Sequence, residues 1–173
     1  MSGVDNIDIA IANAGVANNY PKFSELKASD FTAHFTPNVL GTVWLFQATW
    51  PLLSKSKTPI WVTIGSDAGC IQVCDSLSLV FLNMQNILNL TLLPNAAYSP
   101  HKIAVHWLTK KINAEEEGLN AFVVSPGFCQ TDLGNTAAKL AGLEKAFLPV
   151  SKTCPQIVQL IDGATKESHG GRV

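Results

Sequence analysis

Charge is scarce in this sequence. Only 14% of its 173 residues are charged, and 12 Lys and Arg stand against 13 Asp and Glu. No basic surplus exists to neutralise phosphates, which excludes a general nucleic-acid binder. No polybasic cluster exists to hold the chain on an anionic membrane. With 47% hydrophobic residues, the composition is that of a packed core rather than a disordered chain, and the length fits one domain. Cys70, Cys74, Cys129 and Cys154 form no C-x-x-C pair and have no histidine at ligand spacing. No metal site is therefore expected, and the cysteines read as reduced, small, buried residues. The segment from Met1 to Asp5 has no basic stretch leading into an apolar one. No secretory leader is expected, and the cytoplasm is the expected location. Ser76 to Leu93 carries no charge over 18 residues, but Asn83, Gln85, Asn86 and Asn89 interrupt it, and aromatic belts and basic flanks are absent. No membrane span is expected there.

What is present alternates between short apolar runs and long periodic ones. Asn6 to Ala12, Pro59 to Ile64 and Asn120 to Ser125 are small or β-branched runs closed by Asn-Ala-Gly, Gly-Ser and Pro-Gly, and read as three buried strands. Ser29 is the expected N-cap of a helix reaching about Ser54, with Phe31, Phe35, Val39, Thr42, Phe46, Thr49 and Leu53 as its buried stripe. Pro37 interrupts that helix and frees a carbonyl one turn back, which reads either as a tolerated kink or as a break whose backbone groups bind water. A second long helix is expected from Ala97 to Glu117, with Ile103, Trp107, Leu108 and Ile112 as its apolar face. Shorter helices are expected around Ala137 to Phe147 and from Ser151 to Ala164. Strands alternating with helices predict an α/β layer structure on a mostly parallel sheet.

Parallel-sheet enzymes place their chemistry at the carboxyl ends of strands. Four features fall there: Asn13-Ala14-Gly15 after the first strand, Gly65-Ser66 after the second, Tyr98-x-x-x-Lys102 opening the next helix, and Pro126-Gly127 after the third. Each alone is ordinary: a turn, a surface pair one helical turn apart, a helix cap at Thr131. His34, His101, His106 and His169 find no partner in sequence and read as structural or surface residues. Gly65-Ser66-Asp67-Ala68-Gly69 is not G-x-S-x-G, which disfavours a serine hydrolase.

Taken in this order, with Asn38-Val39-Leu40-Gly41 and Pro126-Gly127-x-x-x-Thr131, these motifs resemble the short-chain dehydrogenase/reductase family. The texture around Asn95 to Tyr98 and Trp107 to Lys111 resembles its norsolorinic acid ketoreductase and carbonyl reductase branch. The resemblance covers nearly the whole chain except Val73 to Leu93. It implies an incomplete Rossmann-type, doubly wound parallel sheet with flanking helices, and NAD(P)-dependent reduction of a ketone or aldehyde or oxidation of a secondary alcohol. It implies Asn38, Ser66, Tyr98 and Lys102 as the catalytic set. Tyr98 would move the proton, Ser66 would hold the carbonyl oxygen, and Asn38 would hold a water in a relay to Lys102. A phenol has a pKa near 10, and an ammonium one turn away would lower it. Asn13, Ala14, Gly15, Tyr98, Lys102, Pro126, Gly127 and Thr131 would line the site of NADP or NAD. A small carbonyl or alcohol would be the substrate, and the two long helices would form a family-type homo-oligomer.

Two departures qualify the resemblance. The family's G-x-x-x-G-x-G loop is absent from the sequence, so 1–173 reads as a partial short-chain dehydrogenase domain, truncated at the N-terminus and at a last strand beginning near Gly170. Tyr98 also stands 32 positions after Ser66, where the family has about a dozen, so 73–93 reads as a non-family insertion. Val-Cys can be encoded by GTATGT and Leu90-Thr91 with an embedded CTAAC, which fits a retained intron; a real insertion forming a lid or oligomer contact is the alternative. The loop is expected to separate Ser66 from the Tyr98 phenol. The competing reading of the function is accordingly a catalytically inactive fragment that serves at most as an interaction partner.

Overall fold

A computed structural model describes residues 3–71 and 94–173. The expected insertion, the uncharged run and Cys74 lie outside the described residues. Three strands, β1 (Ile9–Ala12), β2 (Ile60–Ile64) and β3 (Asn120–Val124), form a parallel sheet in the order β1-β2-β3. Ala12 pairs with Thr63 and Ile64 with Val124, so the three carboxyl ends lie side by side along one edge.

Between β1 and β2 the chain forms α1 (Ala28–Phe35), a π-helical turn (Thr36–Leu40) and α2 (Gly41–Leu53). This is one long helical segment, as expected, but Pro37 has no N–H and crowds the carbonyl four residues back, and the chain relieves this by widening one turn. Gly41 N–H accordingly donates to the Thr36 carbonyl. The N-cap is Lys27 rather than Ser29, with the Asp30 carboxylate accepting from the Lys27 N–H at 3.3 Å. Helix α3 (Ser99–Glu115) precedes β3, and α4 (Asp132–Leu140), α5 (Val150–Asp162) and α6 (Lys166–His169) follow it.

Helices cover both faces of the sheet. On one, Leu53, Phe46 and Trp50 of α2 and Ile112 of α3 pack on Ala10, Ala12, Trp61 and Ala121. The Phe46 and Trp61 rings meet edge to face at 5.1 Å. On the other, Ile157 and Ile161 of α5 pack on Val62, Phe122 and Val124. β2 and β3 thus have helices on both sides, as their apolar runs predict. β1 is only half buried, because α5 does not reach it: Ala10 and Ala12 are inside while Ile9 and Ile11 are exposed.

Other expectations are corrected. The fully buried face of α3 is displaced from the expected stripe: His101, Lys102, Val105, His106 and Thr109 are inside, Ile103, Leu108 and Ile112 are half-buried, and Trp107 is 62% exposed. The face that meets β2 must be small or polar because it grips strand-end backbone rather than a flat apolar sheet. The helix expected at Ala137 to Phe147 starts earlier, at Asp132, and ends at Leu140, with Gly142 at a φ of +75° just beyond it. Cys154 is exposed on α5 and Cys129 half-buried, rather than buried. Past α6, the Val123 N–H donates to the Arg172 carbonyl and the Gly171 N–H to the Ala121 carbonyl, so the chain's last residues run along β3. Among the described residues, no helix is long and apolar enough to cross a membrane.

Candidate active site

Tyr98 caps the amino end of α3, and Lys102 and His106 follow it at one-turn intervals on the same face. All three reach the end of β2. The Ser66 hydroxyl stands at the Tyr98 phenol, near enough to pull its pKa down by hydrogen bonding. The Lys102 ammonium donates to the Ile64 carbonyl at 2.7 Å and sits 5.6 Å from the centre of the Tyr98 ring. The Ser66 N–H donates to His106 Nε2 at 3.3 Å. Ser66 and Tyr98 therefore stand together, contrary to expectation.

The electrostatics differ from the expected pattern. Burial pushes the Tyr98 phenol up to about 12; the Ser66 hydrogen bond pulls the other way, and the nearby Tyr20 phenol adds to the rise. Burial pushes Lys102 down to about 8. The ammonium is committed to a strand carbonyl, so it does not lower the phenol as the spacing led us to expect. The pair as it stands holds its proton on Tyr98.

Asn38 is buried in the π-helical turn. Its side-chain amide closes a ring with the loop after β1: Oδ1 accepts from the Val16 N–H at 2.7 Å and Nδ2 donates to the Val16 carbonyl at 2.9 Å. Its backbone carbonyl accepts from the Thr42 hydroxyl at 3.0 Å. Both ends of the Asn38 side chain thus clasp Val16, directly after the Asn13-Ala14-Gly15 turn. A Cβ on Gly15 would lie 3.1 Å from Asn38 Oδ1. His34, fully buried one turn earlier, assists: Nε2 accepts from the Asn18 N–H at 2.9 Å while Nδ1 donates to the Asp30 carbonyl at 2.7 Å.

Asn13, Ala14 and Gly15 are exposed at the carboxyl edge of β1. Pro126 and Gly127 lie beyond β3, where Gly127 takes a φ of +72° that favours glycine. Thr131 is the N-cap of α4 and accepts from the Gly134 N–H at 3.1 Å, so its hydroxyl oxygen is already a helix cap. The parallel register brings these loops to one edge with Ser66. Sequence reasoning missed His106 and Tyr20. The i, i+4, i+8 row of Tyr98, Lys102 and His106 was a signal for the first; nothing in sequence marked the second.

The short chain dehydrogenase family profile matches residues 1–76. The Short-chain dehydrogenase srdF of Neurospora crassa is 36% identical over 170 residues, which cover 97% of this chain and 62% of that protein. The norsolorinic acid ketoreductase of Aspergillus parasiticus is 32% identical over 170 residues, 98% of this chain and 58% of that protein. The chain thus spans about three fifths of the length of these relatives. Among solved structures, the carbonyl reductase Sniffer of D. melanogaster superposes with a TM-score of 0.76 at 21% identity, over 98% of this chain and 64% of that one. An NADPH-bound carbonyl reductase from chicken fatty liver superposes with a TM-score of 0.75 at 19% identity, over 98% and 63%. At those identities the structures establish the fold, a Rossmann-type α/β arrangement.

Proposed function

The chain belongs to the short-chain dehydrogenase/reductase family, and from that premise we propose that it carries the proton-transfer site of an NAD(P)-dependent oxidoreductase that reduces a ketone or aldehyde, or oxidises a secondary alcohol. The observation that carries this reading is the Tyr98–Ser66 hydrogen bond beside Lys102. Two hydroxyls so joined can both reach one carbonyl oxygen: Ser66 donates a hydrogen bond that orients it, and Tyr98 delivers the proton as negative charge develops there. Lys102, 5.6 Å from the centre of the phenol ring, would hold the ribose of the nicotinamide. The nicotinamide dinucleotide, when bound, supplies or accepts the hydride.

The residues fit such a group. Asn13, Ala14, Gly15 and Gly127 are exposed and Pro126 half-buried at the carboxyl edge of a parallel sheet, and the Ser125 hydroxyl at the end of β3 is buried with no partner among the described residues. The norsolorinic acid ketoreductase relative supports a ketone as the substrate class. The chicken carbonyl reductase of like fold is NADPH-bound, which supports a nicotinamide dinucleotide, NADP or NAD, as the cofactor.

The test is NADPH oxidation with simple diketones and quinones, alongside calorimetric titration with NADPH and NADH. In the chain joined to a family-type β-α-β-α-β segment, Tyr98→Phe should lower turnover by about 10²- to 10⁴-fold, the usual worth of a positioned acid, with dinucleotide affinity kept. Equal turnover by Tyr98→Phe and wild type would overturn the assignment. The second reading, an inactive interaction partner, is favoured by the resting phenol near 12. No binding of either dinucleotide would support it.

A further inference from the structure

The turn that carries Ser66 is built around an imidazole. His106 accepts from the Ser66 N–H through Nε2 at 3.3 Å, and its ring also hydrogen-bonds the Gly69 backbone. With Nε2 an acceptor, Nδ1 must carry the proton and donate to the Gly69 carbonyl. A Cβ on Gly65 would collide with Nε2, and one on Gly69 would stand 2.7 Å from Cε1. Both glycines therefore exist to let the backbone close onto the ring. Inside the turn, Ser66 Oγ accepts from the Ala68 N–H at 3.2 Å while meeting the Tyr98 phenol.

We propose that His106 is a positioning residue that sets the Ser66 hydroxyl against Tyr98 by gripping the Gly65–Gly69 backbone at both ends. This rests on the reading of Ser66 and Tyr98 as the proton-transfer pair. The grip needs one specific neutral tautomer. Protonation of Nε2 turns the acceptor into a donor facing the Ser66 N–H, and the Ser66 end of the turn is released. Burial and the Lys102 ammonium hold the imidazole below its usual range, while Asp67 and the Gly69 hydrogen bond pull upward. His169 and Arg172 of the C-terminal segment line the same cleft; from β3 only Phe122, Val123 and Val124 do, none of them titratable.

The experiment is heteronuclear NMR on the whole 173-residue chain, which uses no turnover. At neutral pH the long-range ¹⁵N spectrum should show His106 protonated at Nδ1 and bare at Nε2. On acidification the Ser66 and Ala68 amides and the Tyr98 ring signals should shift together, with the midpoint of His106 and below 6.5. A merely structural histidine would move the Ser66 amide and leave Ala68 and Tyr98 still. His106→Phe should abolish the shared midpoint. His106→Asn, which offers one acceptor and one donor, should keep the Ser66 and Tyr98 signals at their neutral-pH positions. A proton on Nε2 at neutral pH, or Ala68 and Tyr98 signals indifferent to His106, would overturn the proposal. If His106→Phe fails to fold, the tautomer and the titration of the unmodified chain decide. If Tyr98 and Ser66 prove dispensable for turnover, the catalytic reading fails while the measured coupling stands.

Discussion

Lys102 holds the Ile64 carbonyl at 2.7 Å, and that bond decides how the site titrates at rest. A buried ammonium with one carbonyl partner is under-solvated, and burial pushes it down to about 8. Below pH 8 the side chain is charged in both folded and unfolded chains, and folding carries the full burial cost. Between about 8 and 10.5 the unfolded chain binds more protons than the folded one, so stability rises with pH. Tyr98 acts oppositely, because its folded pKa of about 12 exceeds the unfolded value of 10. The folded chain keeps that proton between the two, and stability falls with pH there. The unfolding free energy from urea titration should therefore rise from pH 7 to about 9.5, by about 1–2 kcal/mol, and the midpoint with it. Lys102→Met should remove the rise. A midpoint that is flat or falling across that range in the wild type would refute the account.

A second prediction concerns the core above the site. Trp61 Nε1–H donates to Thr63 Oγ1 at 3.0 Å, Thr63 meets Thr109 Oγ1 at 2.6 Å, and Thr109 donates to the Val105 carbonyl at 2.7 Å. With the last donor fixed, the Thr63 proton must point to Thr109, and every group in the chain is satisfied. Thr63→Val leaves the indole N–H and the Thr109 oxygen unpaired in the core, at a cost of about 1–3 kcal/mol. Thr109→Val added to it should cost less than the sum of the two single changes, because they share one network. Chemical denaturation of the four chains measures this; strict additivity would show that the chain is not coupled.

Lys166 supplies a third. Its ammonium donates to the carbonyls of Asn113, Glu116 and Leu119 at 3.1, 2.8 and 2.9 Å, closing the carboxyl end of α3 and the turn into β3. The Asn113 carbonyl belongs to the last turn of the helix, and a cation there also meets the negative end of the helix dipole. Lys166→Met should lower stability by about 1.5–3 kcal/mol, the range for charged hydrogen bonds. Hydrogen exchange should quicken at Leu119 and Asn120 first. Unchanged exchange there would show that Lys166 is not the clasp.

Much of this arrangement was legible in the chain, for physical reasons that also mark the limits. The three strands end in Asn13-Ala14-Gly15, Gly65-Ser66 and Pro126-Gly127, turn residues with strong local preferences, and their boundaries held to within a few residues. The Tyr98-to-Lys102 spacing fixes a shared helix face whatever the packing. The face of α3 was misread because Trp107 outranks His101 and Lys102 on any apolar scale, whereas the site selects side chains that hydrogen-bond strand ends. Helix α4 was begun too late because Gly134 reads as loop. It is in fact a close-approach glycine, since a Cβ there would run into the Cys129 carbonyl. The roles of Asn38 and His34 as clasps on Val16 and Asn18 depend on contacts 22 and 16 positions apart in the chain, which no local pattern encodes.

The last prediction joins the sequence departures to the geometry. The 173-residue chain on its own should bind dinucleotide feebly, since its sequence offers no glycine-rich loop to take the pyrophosphate. Positioning of the nicotinamide supplies much of the rate in hydride transfer, so turnover should be slight even with Tyr98, Ser66 and Lys102 in place. Residues 73–93 remain, in our proposal, an insertion foreign to the family pattern. Because Ser66 already meets Tyr98, deleting Cys74 to Leu92 should leave that hydrogen bond and the His106 tautomer unchanged. Joining a family-type β-α-β-α-β segment ahead of Ser2 should then raise dinucleotide affinity at least about tenfold, worth about 1.4 kcal/mol. In that joined protein NADPH oxidation should become saturable, and Tyr98→Phe should abolish it. Robust turnover by the unmodified chain would sink this prediction, and would mean that another surface of the chain grips the dinucleotide.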